Sequence, residues 1–146
     1  MAFDKMNSAG YLANHMARLF ARGLQDRIAP PGIVTGQFPA LLELWAQDGV
    51  TQKELVAKLD IEQATLANTL ARMERDGLIR RTKHPADARA QQIWLTEKAQ
   101  KIRESAYDAA MQQNELALSG LSPDERAAFI RAMQRVIEAM HAPQPQ

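Results

Sequence analysis

The chain has 146 residues, 46% hydrophobic and 24% charged, which fits one compact globular domain and excludes disordered and fibrous classes. It contains no cysteine, so disulfides, thiolate metal sites and thiol redox sensing are excluded. A net charge of +1 points to no partner by itself, so the distribution of charge along the chain has to be read.

The first residues carry no basic-then-apolar leader, and no apolar run approaches the ~20 residues that span a bilayer. A soluble, cytoplasmic protein without a membrane partner is expected. Met6 to Ala29 reads as a long helix with Leu12, Met16, Leu19, Phe20 and Leu24 on one stripe, stopped by Pro30-Pro31-Gly32. A second helix opens at Thr35, buries Phe38, Leu41, Leu42, Leu44 and Trp45, and ends at Gln47-Asp48-Gly49; Pro39 is tolerable only near its first turn.

Thr51-Gln52-Lys53-Glu54 has the spacing of a reciprocal capping box and starts a short helix burying Leu55, Val56 and Leu59. Asp60-Ile61-Glu62-Gln63 has the same spacing. It predicts a further helix over 60–75 with Leu66, Leu70 and Met73 inside and Gly77 as its stop. The period then changes. Leu78–His84 and Gln91–Leu95 read as two strands around a turn over 85–90. Thr96 caps a long helix over 97–118, and Ser122-Pro123-Asp124-Glu125 starts a last one with Phe129, Ile130, Met133, Val136, Ile137 and Met140 on one face. The tail 141–146 offers little to bury.

The expected fold is therefore mainly α with a small β-hairpin: a single domain over 1–146 with a central helix-and-hairpin region at 35–95 and long helices at 6–29 and 96–141. The apolar stripes of those end helices exceed what the middle can cover, so they pack on a second subunit or form a monomeric cap.

Between Thr51 and Leu95 eight basic residues face six acidic ones, while the flanking parts are neutral or slightly acidic. The excess is concentrated where Arg80, Arg81, Lys83 and Arg89 meet Asp87 alone, and local clustering of this kind is what phosphate binding needs. On the helix over 60–75, Ala64, Asn68, Ala71 and Arg75 lie opposite the apolar side, flanked by Thr65 and Arg72. Small residues allow close approach to a duplex, Asn can pair with adenine and Arg with guanine. Alone, this face reads as an ordinary solvated one. The short capped helix just before it makes the pair a helix-turn-helix, with the hairpin as a wing beyond.

These residues resemble a known family. Leu55-Val56-Ala57-Lys58-Leu59, Thr65-Leu66 and the run from Leu70 to Arg81 are similar to the MarR family (multiple antibiotic resistance regulators). So is the wing, Asp87-Ala88-Arg89 through Leu95-Thr96, and so is Thr35-Gly36-Gln37-Phe38-Pro39-Ala40-Leu41-Leu42. The resemblance runs from about Ser8 to Met140. It implies a homodimeric winged-helix regulator, most often a repressor, that binds an inverted-repeat operator in double-stranded DNA.

The expected DNA-contacting residues are Thr51, Gln52, Gln63, Thr65, Asn68, Thr69, Arg72, Arg75, Arg81, Lys83, Asp87 and Arg89. Arg89 is the wing-tip residue for the minor groove, and Asp87 either orders the wing by pairing with a basic neighbour or is a plain turn residue. Leu12, Met16, Leu19, Phe129, Met133 and Val136 are dimer candidates. The family also implies a small-molecule effector, often an aromatic or phenolic anion, in a cleft that Tyr11, His15, Arg18, Phe38 and Trp45 would line; Phe38 and Trp45 are equally readable as core.

An architectural DNA-binding protein without an effector is the alternative. Catalysis is not expected, because His15, His84 and His141 are scattered and no Gly-rich phosphate loop or nucleophile signature appears. No metal or cofactor is expected either.

Overall fold

The computed structural model describes residues 2–30 and 32–142; Pro31 of the first helix stop and the tail from 143 lie outside the described residues. A 3-10 turn at Lys5–Asn7 leads into α1 (Ala9–Ile28), whose first turn is capped by Ser8 Oγ accepting from the Tyr11 N–H at 3.3 Å. The helix expected from Thr35 begins as a 3-10 turn, Thr35–Gln37. It becomes α2 (Phe38–Ala46) at Phe38, with Pro39 in the first turn as its missing N–H requires.

After α2 comes a strand the sequence did not announce, β1 (Val50–Thr51), too short to show alternation. Then follow α3 (Gln52–Leu59), α4 (Gln63–Arg75), β2 (Ile79–Lys83) and β3 (Gln91–Leu95). The sheet is antiparallel in the order β1-β3-β2, with Val50 opposite Ile93 and Arg81 opposite Ile93 on the other side.

Three helix expectations need correction. Only one arm of the Thr51 box forms: Thr51 Oγ accepts from the Glu54 N–H at 3.2 Å, but Glu54 Oε1 takes the threonine hydroxyl rather than its backbone. Asp60 does not begin α4. It ends α3 in the left-handed region (φ 53°, ψ 39°), which turns the chain sharply enough for α4 to cross α3, so α4 starts three residues later behind Glu62 without a side-chain cap. The helix expected over 97–118 is broken at Ile102 into α5 (Glu97–Lys101) and α6 (Arg103–Ala117). There Ser105 Oγ donates to the Ile102 carbonyl at 3.1 Å, and such back-bonding bends helices.

Gly77 stops α4 as expected. At φ 75° it lets the Leu78 N–H reach the Met73 carbonyl (2.9 Å) and its own N–H the Glu74 carbonyl (3.1 Å). The start of α7 (Pro123–His141) also follows the sequence: Ser122 and Glu125 cap each other reciprocally, at 3.2 and 2.9 Å.

The core lies in the middle of the chain. Phe38, Leu41, Leu44 and Trp45 of α2 meet Leu55, Leu66, Leu70 and Met73 of the helix pair, Ile93 and Leu95 of the sheet, and Ala99 and Ala106 beyond it. Helix α1 packs along α6 and enters the core at its end through Ile28. Helix α7 has no buried residue at all. Its apolar face is open: Ile130, Met133, Val136, Ile137 and Met140 are all exposed.

Candidate nucleic-acid interface

Burying Leu66, Leu70 and Met73 decides which side of α4 faces out. Gln63, Ala64, Thr65, Asn68, Ala71, Arg72 and Arg75 are exposed, at the three- and four-residue spacing that puts them along one side. Not all are free to reach a ligand. Arg75 Nε donates to Asp76 Oδ1 at 3.2 Å, and Thr69 turns its hydroxyl back to the Thr65 carbonyl at 3.0 Å. Asn68 and Arg72 have no side-chain hydrogen bond or ion pair among the described residues and stand as the free donors at the middle of the face.

Beside the start of α4 the wing and the start of α3 enclose an open groove of about 730 Å³. It brings together six of the expected residues, Thr51, Gln52, Gln63, Lys83, Asp87 and Arg89, from four separate segments. Among its other lining residues are two basic ones that the sequence reading missed, Lys53 and His84. Lys53 was findable, because the first turn behind a capping Thr is where unpaired backbone N–H groups attract an anion. His84 had no such signal; its Nδ1 accepts the Ala86 N–H at 3.0 Å and shapes the turn. Three fixed cations, Lys53, Lys83 and Arg89, face the single carboxylate of Asp87, so the groove is positive.

Asp87 does both things considered for it. Its Oδ1 accepts the Arg89 backbone N–H at 3.0 Å, an Asx turn, and lies 3.6 Å from Arg89 Nε. The Arg89 side chain is nonetheless 95% exposed at the wing tip. Arg81 is placed differently from the expectation. Alternation along β2 puts it on the sheet's inner face with Ile79, where it is only 20% exposed and pairs with Glu74 of α4 at 3.8 Å. It braces the wing against α4 instead of projecting into the groove.

Below the helix-turn-helix, Asp76 is a second brace. Gln37, buried in the turn before α2, donates to Asp76 Oδ2 at 3.0 Å. That hydrogen bond, and then Arg75, hold the Asp76 carboxyl below its ordinary value.

The five residues expected around an effector are not brought together. Trp45 is core: its indole N–H donates to the Ala99 carbonyl at 3.1 Å and its ring meets Phe38 and Tyr107 edge-on. Tyr11 and His15 pair edge-on near the start of α1, with Lys5 over the Tyr11 ring, and Arg18 is exposed. Of the five, Phe38 alone lines a cavity of about 380 Å³ between α1, α2 and α6. Of the dimer candidates, Met16 and Leu19 of α1 meet Phe129 of α7 around a smaller cavity, while Met133 and Val136 are exposed and Leu12 is half-buried.

The MarR family model matches residues 35–90, from the turn before α2 to the end of the wing turn. The transcriptional regulator HosA of Escherichia coli O111:H- is 32% identical over 75% of this chain and 81% of its own. The chain belongs to the MarR family. As a member it is a DNA-binding transcriptional regulator.

Another MarR-like relative, the organic hydroperoxide resistance transcriptional regulator of Bacillus subtilis (strain 168), is 30% identical over 95% of each chain. Two solved structures share the MarR fold at lower identity. PcaV of Streptomyces coelicolor, in complex with its natural ligand, superposes with a TM-score of 0.85 at 23% identity, covering 97% of this chain and 99% of PcaV. A Listeria monocytogenes chain complexed with a 26mer DNA gives 0.83 at 22% identity, covering 92% and 89%. Within this MarR fold α4 is the second helix of the helix-turn-helix, and β2, β3 and their turn are the wing. Among the described residues no helix is long and apolar enough to cross a membrane.

Proposed function

We propose that this protein is a cytoplasmic, homodimeric repressor that reads an inverted repeat in double-stranded DNA and leaves it on binding a small aromatic molecule. The observation that carries the reading is the placement of Asn68 and Arg72, unpaired and exposed on α4, beside a positive groove closed by Arg89 at the wing tip. A helix with small residues, an amide and a guanidinium on its outward side fits the major groove. A nearly fully exposed Arg89 suits the adjacent minor groove, where narrow A·T tracts deepen the negative potential. Lys53 and Lys83 would hold phosphates and fix register. In this reading 35–95 is the DNA-binding region and 6–29 with 96–141 form the dimer.

The dimer is supported by α7, which has no buried residue and leaves Ile130, Met133, Val136, Ile137 and Met140 exposed on its apolar face. The Listeria neighbour was solved with DNA and PcaV with its ligand, which supports extending both kinds of binding to this chain. The hydroperoxide theme of the Bacillus relative does not extend by thiol chemistry, because oxidation to a sulfenic acid needs a cysteine and this chain has none.

The test is a pair of substitutions read on specific and random duplexes. Arg72→Ala should lose roughly 1–3 kcal/mol on the specific site and change the preferred bases. Lys83→Ala should weaken all duplexes alike and flatten the salt dependence. If Arg72→Ala leaves base preference intact, α4 does not read the sequence, and a steep salt dependence without sequence preference would point to an architectural protein instead.

A further inference from the structure

Between α1 and α4 runs a short strap of chain, 33–37, whose 3-10 turn packs on both helices. Apolar contact alone would set their separation loosely, because it has no preferred direction. Hydrogen bonds fix direction as well, and the strap has them at both ends.

Gln25 of α1 holds the first end. Its Oε1 accepts the N–H and the hydroxyl of Thr35, each at 2.7 Å, and its Nε2 donates to the Ile33 carbonyl at 3.3 Å. Gln37 holds the second end and is 2% exposed. Its Nε2 donates to Asp76 Oδ2 at 3.0 Å, and its Oε1 accepts the Val34 N–H at 3.4 Å. A carboxylate only accepts and a backbone N–H only donates, so these partners fix which way the Gln37 amide points. Water cannot replace them at a buried amide, so turning α4 away from the strap would leave polar groups unpaired.

The C-terminal end of α4 is where its position is set. Asp76, the residue that closes the helix, takes Gln37 from the strap, and its carbonyl takes Lys98 of α5 at 2.7 Å. The opposite end, behind Glu62, has no side-chain cap.

We propose that Gln25 and Gln37 are positioning residues for DNA reading: the strap between them fixes where α4 stands relative to α1, and so the half-site separation that two copies of the chain accept. This rests on the reading of the protein as a dimer on an inverted repeat, with α1 in the dimer body. Neither residue is free to touch DNA, since Gln37 is buried and the Gln25 amide is spent on the strap.

The test is binding of the full chain to its selected inverted repeat and to the same duplex with one base pair inserted between the half-sites. That insertion shifts one half-site by about 3.4 Å and turns it by roughly 35°. It should weaken binding of the unchanged chain about tenfold or more, the worth of a lost base contact, and of Gln37→Leu only about threefold or less. A mere loss of stability would lower both affinities and leave their ratio alone. Gln25→Leu, at a half-buried position, cuts the other end and should relax the spacing likewise, which carries the test if Gln37→Leu does not fold. Gln37→Glu combined with Asp76→Asn re-forms the hydrogen bond with donor and acceptor exchanged, and should restore the sharp preference. An unchanged spacing penalty in a folded variant, or a relaxed one that the exchanged pair does not sharpen, would overturn the proposal alone. Indifference of the unchanged chain to spacing would overturn the paired reading and the proposal with it.

Discussion

Asp76 shows how one side chain ties α4 to the rest of the molecule. It takes the Gln37 amide on one oxygen and Arg75 on the other, and its backbone carbonyl accepts from Lys98 Nζ at 2.7 Å. The Gln37 hydrogen bond is the main reason its carboxyl lies below the ordinary value of 3.8. A carboxyl with a lowered pKa contributes stability that is present above the unfolded value and lost as the pH falls through the folded one. The stability of the protein should therefore fall below about pH 4, and part of that fall should vanish in Asp76→Asn. Urea midpoints at pH 7 and pH 3 read this directly. An equal drop in both proteins would show that Asp76 contributes no pH-dependent stability. The same residue illustrates a limit of sequence reading: nothing in Gln37 or Asp76, 39 positions apart, announces that they meet.

Among the elements, those with local signals were legible and those made by tertiary contact were not. Ser122-Pro123 and Gly77 marked their helix ends because caps are local chemistry. Asp60 misled because Asp is as much at home in a left-handed turn as at a helix start, and the crossing of α3 and α4 decided for the turn. At the site, the groove residues of the wing and α3 were readable from motif spacing. The inward face of Arg81 followed from alternation that its charge obscured, and Lys53 was legible from its place in the first turn behind the capping Thr51.

Strand β1 was invisible for a related reason: it exists only because β3 lies beside it. Gly49 makes that approach possible, with φ 76° and the Trp94 ring over the place a Cβ would occupy, 2.5 Å away. Gly49→Ala should cost roughly 1–3 kcal/mol through a strained backbone and a displaced indole. Denaturant unfolding checks it, and a loss of only a few tenths of a kcal/mol would mean that the wing base relaxes freely.

For the whole molecule, a core that the middle shares with α1, α5 and α6 stands beside α7, none of whose residues is buried. Met133 is 37% exposed in the subunit, so a charge there costs a folded monomer little. In the proposed dimer it would be driven into an apolar interface, where an unpaired carboxylate is expensive. Met133→Asp should therefore sediment as a monomer or unfold at micromolar concentration, where the unchanged chain is a dimer; an unaltered dimer would place the interface elsewhere. The twofold axis of that dimer links it to DNA, since two copies of α4 must meet equivalent faces of one duplex. Selection of bound sites from random duplex DNA by the full chain tests this most directly. An enriched inverted repeat with half-sites about 10 bp apart centre to centre is expected, and recovery of no enriched sequence, or of a single unrepeated one, would contradict the paired arrangement of α4.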